Sequence, residues 1–379
     1  MKNKNLFLIS FIYFITMMLF VLLRFASSAG FFDKLPDAWA NVTFSVIIQV
    51  GIMFLVPITL LLLIFKKGVK NTFSSLGFKK ISLNSVGIAI LIGVLAFFLN
   101  LIVSTVFNGL IGFFGYNPTS SGNGATYDTF LKFLQALLLV AVLPAVFEEI
   151  MHRGVLLKGY QKEIGVKRAL IYSSLLFGLM HLNVGQVFYA TIMGALIGVT
   201  VIVSGSIFPA MIVHFINNAI NIYLVYAAQN SLFGQNFYEN INNFLQSNNP
   251  LFTFLSSFLF LGFLVLFIAM LLIKLFKENT VNKLEAIKQK VEKGLDEEVF
   301  FGEGEPLEGA EIAAVNMVLV EKLKPLLPDF SKIHSPMDIF VPSSEEDKVK
   351  PSKLDNLFYY ASVFLGVLVT IFTFIWGVV

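Results

Sequence analysis

The stretch Leu137-Leu-Leu-Val-Ala-Val-Leu-Pro-Ala-Val-Phe-Glu-Glu-Ile-Met-His-Arg-Gly154 decides how this chain is read. An apolar run suited to hydrocarbon leads straight into two carboxylates, an imidazole and a guanidinium. Ionisable side chains at membrane depth are expensive, so each one marks a functional position by default. The surroundings support the membrane reading. Of 379 residues 56% are hydrophobic and only 13% charged, about half the share of a soluble domain, and Phe alone occurs 42 times. Mean hydropathy is +0.79. The net charge of +3, with no basic cluster interleaved with aromatics, gives no support for a nucleic-acid partner. Without cysteine, disulfides, thiolate metal ligands and thiol catalysis are excluded.

A membrane span needs about 20 apolar residues. Nine such runs are expected, at roughly 6–24, 44–65, 86–106, 131–158, 168–183, 187–204, 207–228, 251–275 and 355–377. The fold class is therefore all-α, a polytopic membrane helix bundle of about nine transmembrane helices with a small cytoplasmic insert. Small residues at Ala26-Ser27-Ser28-Ala29 resemble a signal-peptide cleavage site, but the apolar run from Leu6 to Leu23 exceeds a usual signal core, so the first helix is read as retained. The membrane bundle is expected over 1–276, and a C-terminal transmembrane helix over 354–379.

Between them, residues 277–353 carry 11 Lys/Arg against 16 Asp/Glu, whereas the rest of the chain carries 16 against 8. This acidic segment reads as a helical insert over Val281–Phe300 and Ala310–Leu327 followed by a linker, with a cytoplasmic partner as one role for it. Loop charge sets orientation. Lysines crowd the 66–80 loop, and Lys158, Lys162, Lys167 and Arg168 the 158–168 loop, while the 107–127 and 229–250 loops carry no Lys or Arg. Alternation then puts the N-terminus and the insert in the cytoplasm and the C-terminus outside.

Outside the insert, only Glu148 and Glu149 among the acidic residues lie within an apolar run. His181 and His214 also lie in apolar runs, and His152 sits beside the glutamates. Glu149 and Arg153 are four residues apart and share a helix face, as do His214 and Asn218, and Phe177 and His181. At 1.5 Å rise per residue, Glu148 lies ~24 Å and His181 ~20 Å from the 164–168 turn. His214 and Asn218 lie ~13 and ~20 Å from a turn at Gly205. Three helices thus bring Glu, His and His/Asn to comparable heights.

A glutamate and a histidine can hold and deprotonate a water, and a second histidine with an asparagine amide can donate to a tetrahedral oxyanion. The bland readings stand beside this one. Glu149–Arg153 serves equally as a helix-stabilising ion pair, Glu148 as a proton or cation site, and His214–Asn218 as an interhelical hydrogen-bond pair. Asn217 and Asn221 read as packing amides, His152 as a neighbour without a catalytic role, and His334 as a solvated linker residue.

Glu148-Glu149-x-x-x-Arg153, then Phe177-x-x-x-His181, then His214-x-x-x-Asn218, in that order, resembles the CAAX protease and bacteriocin-processing family of type II CAAX endopeptidases, also called Abi proteins. The resemblance covers about 130–225. It implies an intramembrane endopeptidase acting on membrane-associated peptides or proteins. Glu148 and His181 would activate water, His214 and Asn218 would stabilise the oxyanion, and Glu149 with Arg153 would support them. No HExxH zinc signature is present, so a glutamate-type mechanism without cofactor is expected. Zinc held by Glu148, His181 and His214 is the alternative. Rival functions are a non-catalytic immunity or scaffold protein and a proton-coupled transporter using Glu148.

Overall fold

A computed structural model describes residues 3–66, 68–112, 114–115, 126–245, 250–299 and 351–376. Among these residues the fold is all-α. Its helices are α1 (Lys4–Ser28), α2 (Trp39–Phe65), α3 (Val69–Leu76), α4 (Leu83–Gly112), α5 (Phe130–Ile164), α6 (Val166–Leu179), α7 (Val184–Ser204), α8 (Phe208–Gln229), α9 (Phe237–Leu245), α10 (Pro250–Val299) and α11 (Leu357–Trp376). Eight of them (α1, α2, α4, α5, α7, α8, α10 and α11) are long and apolar enough to cross a membrane. Their outward faces carry large apolar side chains such as Phe258, Phe263 and Phe364. Lipid takes these faces without cost, so the pattern is that of a membrane bundle rather than of a badly packed soluble one.

The fifth expected span, 168–183, is shorter than expected and is not among these eight. α6 holds only 14 residues, ~20 Å of helix, and ends at Leu179. The chain reverses over 180–183, with Leu182 at a left-handed φ of 54°, and the Asn183 side chain caps α7 by accepting from the Gly185 N–H. The reversal is tied to α11, since Thr373 Oγ1 donates to the Leu182 carbonyl at 2.9 Å. His181 therefore sits in a turn packed inside the bundle, not in mid-helix.

The Lys-bearing loops gather at one end of the bundle. The Gly77 carbonyl accepts from Ile207 N–H at 3.0 Å, Ser206 Oγ donates to the Lys79 carbonyl at 2.6 Å, and the Lys158 side chain lies over Gly77. Asn5 Nδ2 donates to Glu163, and Asn279 Nδ2 to the Val203 carbonyl, at the same end. The opposite end brings Tyr127 against Gln229 and Asn230. α10 runs on without a break to Val299, so the expected helix over Val281–Phe300 continues the preceding span for most of its length. The remainder of the acidic segment, residues 300–350, lies outside the described residues.

Three stretches are wound with wide i→i+5 turns: Ile47–Leu55 in α2, and Leu137–Val142 and Ile150–Leu157 in α5. Such turns cluster at functional sites because they shift side chains off the regular helical face. Gln49, Val140 and Arg153, one from each stretch, all bond to the polar centre described next.

Candidate active site

The polar centre is built on α5. Glu149 is fully buried, and its Oε1 accepts from Arg153 Nη1 at 3.0 Å, the i,i+4 pair expected from spacing. The same oxygen meets His214 Nδ1 of α8 at 2.8 Å. Arg153, 1% exposed, sends Nη2 to the Gly194 carbonyl of α7 at 3.1 Å and lies over the Phe177 ring of α6, 4.3 Å from its centroid. One carboxylate and one guanidinium thus bind α5 to α6, α7 and α8. In a low-dielectric interior such a pair holds together only because both charges are hydrogen-bonded.

Phe177 is the hub of the centre. Besides the guanidinium, its ring meets His152, His181 and His214 edge-on, at 5.0, 5.2 and 5.9 Å between centroids. The three imidazoles are anchored alike. His152 Nδ1 meets the Glu148 carbonyl at 2.9 Å, His181 Nδ1 meets the Phe177 carbonyl at 3.0 Å, and His214 Nδ1 meets the Glu149 carboxylate. An acceptor at Nδ1 fixes the proton there and leaves Nε2 for other work.

Glu148 points away from Glu149, as the 100° offset per residue requires. Its Oε1 accepts from Gln49 Nε2 of α2 at 2.8 Å. Sequence reasoning passed over Gln49, the one side chain with hydrogen-bonding capacity between Ser45 and Thr59 in an otherwise apolar run. Asn218 is held at both ends: its Nδ2 donates to the Val140 carbonyl at 3.0 Å and its Oδ1 accepts from Asn217 Nδ2 at 2.9 Å. Asn217, expected as a packing amide, is therefore part of the same array.

Glu148, His181, His214 and Asn218 line one cavity of about 750 Å³, within the usual size range of a ligand site. Glu149 and Arg153 stand behind its wall. α4 and α8 cross in close contact. At Gly93 a side chain would come within 2.7 Å of Ile216 and 3.3 Å of the Val213 backbone, so only glycine permits the contact. Beyond it the two helices line the cavity with Asn100, Ser104 and Asn108 on one side and Asn217, Asn218 and Asn221 on the other. Tyr238 of α9 lies at the end away from the lysine-bearing loops and donates to Asn221.

Among the described residues no three His, Asp or Glu side chains form a group that could hold a metal ion. Glu148, His181 and His214 share the cavity without meeting that requirement.

Residues 130–220 match the family model described as "Type II CAAX prenyl endopeptidase Rce1-like". The match runs from α5 through most of α8 and contains Glu148, Glu149, Arg153, His181, His214 and Asn218. It supports a CAAX-type intramembrane endopeptidase as the general class, and with the eight apolar helices it supports a multi-pass membrane protein. No curated protein and no solved structure matches the chain.

Proposed function

We propose that the protein is an intramembrane endopeptidase of glutamate type, cutting peptide bonds of membrane-associated peptides or proteins. The observation that carries this reading is the meeting of Glu148, His181, His214 and Asn218, from two helices and a buried turn, on one cavity. Glu148 Oε1 is occupied by Gln49, which leaves Oε2 for a water. His181, with its Nδ1 proton directed at the Phe177 carbonyl, offers the Nε2 lone pair to the same water. Glu148 takes one proton as the hydroxide attacks the carbonyl carbon, and returns it to the departing amine as the C–N bond breaks.

The oxyanion needs donors already in place. Asn218 uses one amide N–H on Val140 and keeps the second, and its Oδ1 bond from Asn217 prevents the amide from flipping. His214, with its Nδ1 held by the Glu149 carboxylate, is the second residue of the oxyanion-stabilising pair. Glu149 and Arg153 act as positioning residues behind this pair.

Cleavage of candidate membrane peptides by the purified protein, with and without chelator, tests this function. Cutting that survives chelation is expected. Loss restored by zinc would overturn the metal-free assignment, and absence of cutting would return the scaffold and transporter readings. The clustering of Lys66, Lys70, Lys79, Lys80, Lys158, Lys162, Lys167 and Arg168 around one end supports a cytoplasmic N-terminus and an outside C-terminus. The same orientation leaves the acidic segment beyond Val299 in the cytoplasm, available to a partner.

A further inference from the structure

We infer that the α4 face carrying Asn100, Ser104 and Asn108 is a substrate-binding wall that hydrogen-bonds the backbone of an extended, unmodified polypeptide segment. This rests on the peptidase reading and names the substrate class for the same cavity. Outside its first turn, α4 is apolar except for Asn100, Ser104, Thr105 and Asn108. Three of these four recur at i, i+4 and i+8, so they form one stripe, and all three line the cavity. An amide in a membrane-spanning helix is costly unless something bonds it. Yet the Oδ1 atoms of Asn100 and Asn108 are buried without a hydrogen-bond partner among the described residues.

The facing wall has the same character. Asn217 is only 8% exposed, lines the cavity, and its Oδ1 is likewise unpartnered. Two helices thus present carboxamides toward one space that also holds Glu148 and His181. A carboxamide offers a donor and an acceptor together, the complement of a peptide unit. The stripe from Asn100 to Asn108 rises ~12 Å, which matches roughly three to four residues of extended chain. An isoprenoid laid along the same wall would leave these acceptors dry and unpaired, so the stripe disfavours one there.

The test measures binding apart from cleavage. Full-length Glu148→Gln protein is incubated with a random ten-residue synthetic peptide library. A second library has the same design with an S-farnesyl cysteine four residues from its end. Retention of unmodified peptides is expected, falling about tenfold or more when Asn100→Leu and Asn108→Leu are combined. Asn100→Gln with Asn108→Gln should retain most of it, and the leucine pair should melt no lower than its parent. Retention that requires the farnesyl group, that is absent, or that ignores the leucine pair overturns the inference. Wild-type protein that retains peptides without cutting them sinks the peptidase reading and leaves the wall standing. Cutting that the leucine pair leaves unchanged does the reverse.

Discussion

Gln49 and Glu148 lie 99 residues apart in sequence and 2.8 Å apart in the structure, with the amide of α2 donating to the carboxylate of α5. In the proposed mechanism, that bond decides which Glu148 oxygen is left for water. Gln49 lies outside the 130–220 match, so the first half of the chain supplies part of the site's geometry.

Gln49→Leu should lower kcat about tenfold while KM stays within about twofold, because it loosens the base without touching the substrate wall. Steady-state kinetics on a membrane peptide checks this. A change confined to KM would show that Gln49 contacts substrate instead.

Breaking the buried ion pair should cost more than removing it. Arg153→Met or Glu149→Leu alone is expected to destabilise by about 3–5 kcal/mol, and the double variant by less than the sum. Thermal melting of the detergent-solubilised variants measures it. Additive losses would mean that the Oε1 bonds to Arg153 and His214 do not hold the centre together.

The tight crossing of α6 and α7 predicts a steric effect one residue from the hub. A side chain at Gly178 would meet the Val187 carbonyl at 2.6 Å and run into Thr191 Oγ1. Gly178→Ala should destabilise by about 1–3 kcal/mol and displace His181. Unchanged melting together with unchanged turnover would show that the helices separate freely.

Much of the site was legible because charge in an apolar chain is informative. Glu149 and Arg153 pair as their i,i+4 spacing suggests, and Glu148, His181, His214 and Asn218 line one cavity. Neutral amides were harder to read. Gln49, Asn100, Asn108 and Asn217 have no charge to mark them, and a lone amide in a span reads equally as packing. The short α6 was hidden because its apolar residues continue through the buried turn to Leu182, so hydropathy alone cannot see where the helix stops. The shared bonding of Glu149 Oε1 to Arg153 of α5 and His214 of α8 needed the fold, since no spacing links residues 149 and 214.

Orientation can be read directly because the chain has no cysteine background. Single cysteines at Ser74 and at Asn230 should label from opposite sides of sealed vesicles, with Ser74 on the cytoplasmic side. Labelling of both from one side would contradict the assigned topology.

The central claim is that Glu148 and His181 activate the attacking water. Cleavage of candidate membrane peptides by purified wild type, Glu148→Ala and His181→Ala tests it most directly. The account predicts that each variant loses about 10²–10⁴-fold in rate while staying folded. Equal cleavage by all three proteins would contradict it.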